Sequence, residues 1–355
     1  MSKLFHCEIE YMPSPHLMQL YAGFFKLKQQ GLIDLVLIPK KYIHRTNPII
    51  NATIDKKHKV IYDTQDGLSW ITGSKEQNLE YFKNNYKADF YFKRSYHRDM
   101  EAYRPGNCKI FPLGFNYNVH PDENLLHLTE TLSLKLKYFI KTNEPLKKVF
   151  NKRFYYAADF EWYPVKNGYD KILFSTRVWD PKGEDVFSVE EKELREKINH
   201  MRISCLDACK KEFGNRFSGG LWLDDFSEKN YKAYTLPFSK TSKSAFLNQV
   251  KSHSICIATT GLFQSIGWKM GEYVAASRAI VSEKLNFELP GQFKEGENYF
   301  EFNDEVQLLE KVHLLLSNRE LLQQMMKNNY EYYNNYLKPD ILVLNTLLTI
   351  SNQSE

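Results

Sequence analysis

The chain has 355 residues, more than one hydrophobic core comfortably serves, so two domains are expected. At 43% hydrophobic and 26% charged it has a globular composition, and its net charge of +5 admits an anionic substrate or an acidic membrane surface but falls short of a nucleic-acid footprint. Five scattered cysteines argue against a disulfide framework; with no signal-peptide core and no membrane-length apolar run, a cytosolic protein is expected.

Residues 4–12 read as a strand, Pro13-Ser14-Pro15 as a turn, and residues 16–30 as a helix that Gly31 ends. The apolar run at 33–38 completes a βαβ opening, which predicts a parallel, doubly wound sheet. Its turn lacks the G-x-G-x-x-G fingerprint of a dinucleotide site. Further short strands are expected at 60–62, 89–92 and 109–112. In open α/β sheets ligands sit beyond the carboxyl ends of strands, and four loops of the first half qualify, carrying His16, Asp66, Arg94 and Asn116. Asp66 could take a proton from an incoming hydroxyl, or could simply form the turn before Gly67. His16, at the expected helix start, could serve as base with a pKa lowered by the helix dipole, or could be a plain helix-entry residue. Arg94 could grip an anionic acceptor, with Asn116 nearby; the alternative is a solvated basic loop.

Residues 122–164 are transitional: helical periodicity at 125–140, then a basic stretch at 141–153 that could rest on an acidic membrane or face a linker. The expected division is 1–164, 165–335 and a helical tail at 336–355, with the boundary near Val165. The second half restarts with a strand ending in Arg177, whose loop also holds Lys182, a suitable pair for a diphosphate or two plain surface cations. Residues 188–213 form a long amphipathic helix on which Cys205 and Cys209 are read as packing. Asp224-Asp225 is not a D-x-D arrangement, and no metal site is expected.

Residues 252–283 (SHSICIATTGLFQSIGWKMGEYVAASRAIVSE) organise the rest: strand, tight loop around Thr260 and Gly261, helix from about Ser265, strand. Lys269 and Glu272 stand one turn apart near that helix's start, where unpaired N–H groups and the dipole favour an anion. The plain alternative is an i,i+3 ion pair on a solvated face.

Taken together, residues 170–335 resemble the donor half of a GT-B glycosyltransferase of group 1, nearest the CgeB-like and exostosin-like branches. The order strand–Arg177–loop–Lys182–Gly183 resembles the R…KG element, and residues 246–283 resemble the donor-binding βαβ unit. The resemblance implies two Rossmann-like doubly wound domains facing across a cleft. It implies transfer of a sugar from a nucleoside diphosphate-sugar to a hydroxyl of a glycan or lipid-linked acceptor, without metal or cofactor. The implied setting is bacterial surface polysaccharide synthesis (lipopolysaccharide or capsule), in the cytoplasm and with peripheral contact at the inner membrane. Arg177 and Lys182 then match the diphosphate pair, Thr260 and Gly261 the donor loop, and Glu272 the carboxylate on the ribose hydroxyls. Lys269 falls where the exostosin-like branch has an Arg. One departure stands out: the upstream Glu of the retaining enzymes is replaced by Gln264. A sugar-nucleotide epimerase or hydrolase of the same fold, or a non-catalytic binding protein, is the alternative.

Overall fold

Residues 5–11 read FHCEIEY, apolar at every second position, and the strand they form, β1 (Phe5–Tyr11), buries Phe5, Cys7, Ile9 and Tyr11. The computed structural model describes residues 4–40, 47–125, 128, 132–149, 153–164, 170–183, 186 and 188–354. The chain divides into two units: Met1–Phe160 with Phe287–Gly291 and Asn334–Glu355, and Glu161–Asn286 with Gln292–Tyr333. The boundary expected near Val165 lies outside the described residues.

In the first unit β1 leads through α1 (Met18–Gln29) to β2 (Ile33–Pro39), then β3 (Ile49–Ile54), β4 (His58–Asp63), α2 (Lys75–Asn85), β5 (Phe90–Lys93) and β6 (Lys109–Pro112). Three short helices follow, α3 (Leu132–Thr142), α4 (Glu144–Val149) and α5 (Ala157–Phe160). The sheet order is β2-β1-β3-β4-β5-β6. The βαβ opening is parallel, as are β4-β5 and β5-β6, while β3 runs antiparallel to both neighbours. Helices cover both faces: Tyr21, Phe24 and Leu27 of α1 share a core with β1, and Leu79 and Phe82 of α2 share another with Ile61, Tyr91 and Ile110.

The second unit holds β7 (Ile172–Thr176), α6 (Val189–Phe213), β8 (Phe217–Leu221), α7 (Asp225–Asn230), α8 (Phe238–Thr241) and α9 (Lys243–Ser252). It continues with β9 (Ile255–Ala258), α10 (Trp268–Ala275), β10 (Ala279–Glu283), β11 (Phe300–Phe302), α11 (Glu305–Ser317) and α12 (Arg319–Tyr332). Its five strands are all parallel, in the order β8-β7-β9-β10-β11. Ser188 caps α6 by accepting the Glu191 amide, and Cys205 and Cys209 lie in the apolar cluster beneath that helix, which is the packing role expected of them. Asp224 caps α7 by accepting the Ser227 amide. Because β8 and β9 flank β7, the chain leaves β7 in one direction and returns on its other side. The carboxyl ends of β7 and β9 therefore form the topological switch point where such sheets take ligands.

The closing helix α13 (Pro339–Asn352), set apart as a tail in the sequence reading, belongs to the first unit. Leu342, Val343, Leu347 and Ile350 enter the core of β1 and α1, and the Tyr62 and Thr346 hydroxyls bond at 2.9 Å.

Candidate functional site

At the switch point of the second unit, cations gather around one buried carboxylate. The loop after β9 turns sharply, though not at Gly261, whose φ of −101° any residue adopts. The left-handed positions are Phe263 (φ 55°) and Gln264 (φ 58°), both strained for residues with a Cβ. Gly261 serves close approach instead: a Cβ there would lie 2.8 Å from Ser265 Oγ. The loop runs longer than expected, and α10 begins at Trp268 rather than near Ser265.

From α10, Lys269 reaches β7, where its ammonium donates to the Ser175 carbonyl at 2.5 Å and lies 5.1 Å from the Trp222 ring centroid. Burial, with Arg202, Arg177 and Lys243 adding to it, pushes its pKa well below the usual lysine value; Glu272 opposes them. Glu272 is only 2% exposed and is no part of a solvated i,i+3 pair: Lys243, at the start of α9, donates to its Oε1 at 2.5 Å. Arg202 of α6 binds the two strand ends together, donating to Thr259 Oγ1 (3.0 Å), the Arg177 carbonyl (2.7 Å) and the Thr260 carbonyl (2.9 Å). Its pKa falls to about 10 because it is buried, against the pull of Glu283. Glu283 in turn accepts from the Thr260 amide at 2.7 Å and its hydroxyl at 3.1 Å. The exposed Arg177 stacks its guanidinium 3.7 Å above the Trp179 ring, and Asn199 fixes the Trp179 backbone on both sides.

Arg177, Thr260, Gly261, Lys269 and Glu272 are thus brought to one place. Lys182 sits on the exposed loop beyond, where no bond among the described residues ties its side chain to them. Lys243, Arg202 and Glu283 complete the cluster. Of these, Arg202 left a trace in the sequence, as a charge on the stripe of α6 that continues into Leu206, Cys209 and Phe213. Lys243 left none.

The first unit assembles its four candidates as well. Arg94, read as a solvated basic loop or an anion grip, is 5% exposed and ion-paired with the Asp66 carboxylate, because the loops after β4 and β5 converge. Asn116 donates to the His16 carbonyl at 2.6 Å, while its Oδ1 is buried with no hydrogen-bond partner among the described residues. Burial lowers the pKa of His16, which stands two residues before α1; Arg94 adds to that effect and Asp66 opposes it. The imidazole is accordingly neutral near pH 7, in the form that accepts a proton. Behind these loops the fully buried Asp63 accepts from Trp70 Nε1 (2.7 Å), the Tyr91 hydroxyl (2.5 Å) and Lys93 (3.1 Å).

No protein-family model and no curated protein sequence match the chain. Among solved structures, Anabaena Alr3699/HepE in complex with UDP is similar over 97% of this chain and 98% of its own, at 12% identity and a TM-score of 0.43. The C-terminal domain of LpcC, a glycosyl transferase group 1 family protein from Francisella tularensis, aligns with 51% of this chain and 97% of its own, at 14% identity and a TM-score of 0.35. A variant of S. aureus TarM in complex with Fondaparinux, alpha-GlcNAc-glycerol and UDP aligns over 86% and 72%, at 11% identity and a TM-score of 0.35. At such identities and scores the functional reading rests on the residues of the site.

Proposed function

We propose that the chain is a GT-B glycosyltransferase that moves a sugar from a nucleoside diphosphate-sugar to a hydroxyl of a glycan or lipid-linked acceptor in surface polysaccharide synthesis. One observation carries this reading: at the β7/β9 switch point Lys243 is ion-paired with the buried Glu272, and Lys269 lies within the electrostatic reach of Glu272, Lys243 and Arg177. A diphosphate would satisfy the excess positive charge, and Glu272 would accept hydrogen bonds from sugar hydroxyls. As the glycosidic bond breaks, charge grows on the leaving diphosphate. Fixed cations aimed at it lower the barrier by on the order of ~3 kcal/mol per well-placed donor, without requiring a metal.

In this reading the first unit binds the acceptor through Arg94 and Asn116, and a base there removes the hydroxyl proton. His16 suits that role better than Asp66, whose carboxylate Arg94 already engages.

The test is a thermal-shift panel of UDP, GDP, ADP, TDP and CMP in EDTA, on wild type and Glu272→Ala. A ligand at a hundred times its Kd stabilises by about 2.7 kcal/mol, a visible shift. One nucleotide should stabilise wild type and lose its effect in the variant. No response to any nucleotide, or a response that appears only when magnesium is added, would count against the reading as stated.

A further inference from the structure

Helix α3 is apolar on its outer side as well as its inner one. Its inner face is seated by Tyr138, whose ring lies 5.0 Å from Phe154 and 5.9 Å from His120, and whose hydroxyl accepts from the Leu125 amide at 3.1 Å. On the opposite face Leu132, Leu136 and Phe139, spaced i, i+4 and i+7, are 85%, 60% and 51% exposed. A helix in water ordinarily buries such a stripe. Lys135 and Lys137, both exposed, flank it, and the sequence LSLKLKYFIKT carries three lysines and no carboxylate. No helix among the described residues is long and apolar enough to cross a membrane, so α3 is suited to lie in an interface rather than to span one.

We propose that α3 docks the protein on an acidic lipid surface, with Leu132, Leu136 and Phe139 at the acyl boundary and Lys135 and Lys137 among the headgroup phosphates. Charge selects this occupant: a second copy of the same face would set lysine against lysine. The proposal does not depend on the donor site, which belongs to the other unit.

Flotation of the full chain with phosphatidylcholine vesicles, with and without phosphatidylglycerol, tests it. Wild type should float with the anionic vesicles, and less so at high salt. Leu136→Asp or Phe139→Asp should abolish flotation at unchanged Tm, since both side chains are exposed. Lys135→Gln and Lys137→Gln should each weaken binding roughly fivefold. The proposal is overturned if wild type ignores anionic vesicles, or if Leu136→Asp binds them equally well. It is also overturned if wild type ignores vesicles but dimerises in sedimentation velocity and Leu136→Asp makes it monomeric, since the stripe then docks protein.

Discussion

A guanidinium can donate to several oxygens on two loops at once, and Arg202 does so with Thr259, Thr260 and the Arg177 carbonyl. Arg202→Met would leave the Arg177 and Thr260 carbonyls and the Thr259 hydroxyl, all in part-buried hydrogen bonds, short of a donor, so a loss of about 1–3 kcal/mol in urea unfolding is expected, together with loss of nucleotide binding. Arg202→Lys should recover little of the binding, because an ammonium on one stem cannot reproduce the fork; full recovery would show that charge alone matters. Lys269 carries a pH signature. Its folded pKa lies well below the unfolded value of about 10.4, so between the two the unfolded chain holds the extra proton. Its charging penalty is therefore complete below the folded pKa, and stability rises with pH towards ~10 as it is relieved. A bound diphosphate raises that pKa again, so at a pH between the free and bound values nucleotide binding takes up a proton and weakens as pH rises. Calorimetry across a pH series, in buffers of different ionisation enthalpy, should show a window of uptake in wild type that is missing in Lys269→Met; no uptake at any pH in wild type would place the anion elsewhere. Lys269, Glu272 and Arg177 were legible in the sequence because strand ends and helix starts announce themselves. Lys243 was not, because its partner lies 29 residues on and only the fold brings them together.

Among the elements, the strands that showed themselves were apolar runs such as Ile255–Ala258 or the alternating Phe5–Tyr11. β3 did not: Asn51 and Ala52 dilute its pattern, and Asp55 and Lys56 make its hairpin turn in the left-handed region without a glycine to mark it. Gly23 is the converse, a residue whose meaning needs the neighbouring element. In mid-α1 it forfeits ~1 kcal/mol of helix propensity relative to Ala. Yet a Cβ there would stand 2.1 Å from the Pro339 carbonyl oxygen and 2.6 Å from Val343 Cγ2 of α13. Overpacking of ~1–3 kcal/mol or more should outweigh the propensity gain, because one of the opposing atoms is backbone. Gly23→Ala is therefore expected to lower the urea midpoint, whereas a stabilised variant would mean that α1 and α13 are less closely packed than described.

For the molecule as a whole, a linear reading cuts the chain into successive segments, 1–164, 165–335 and 336–355, but the fold divides it by contact. The first unit takes back residues 287–291 and 334–355 after the second has been built, and nothing local in the sequence says that α13 returns to α1. Its apolar residues fit a tail helix packed anywhere; only the core of the first unit shows which surface they complete. The energetic consequence is large. Leu342, Val343, Leu347 and Ile350 are almost wholly buried, and at ~1.5–3 kcal/mol each they contribute about 6–12 kcal/mol. That is comparable with the entire stability of a domain, ~5–15 kcal/mol. The Tyr62–Thr346 and Gln19–Leu337 hydrogen bonds would be lost with the helix, leaving buried polar groups behind. Removing residues 334–355 should therefore unfold the first unit while the second, which keeps all five of its strands, retains a cooperative transition. Calorimetry of the truncated chain should show one transition of reduced enthalpy, and any nucleotide that stabilises the full chain should still raise its Tm. If the truncated chain instead unfolds with the enthalpy of the full protein, α13 is dispensable and the first unit's core is complete without it.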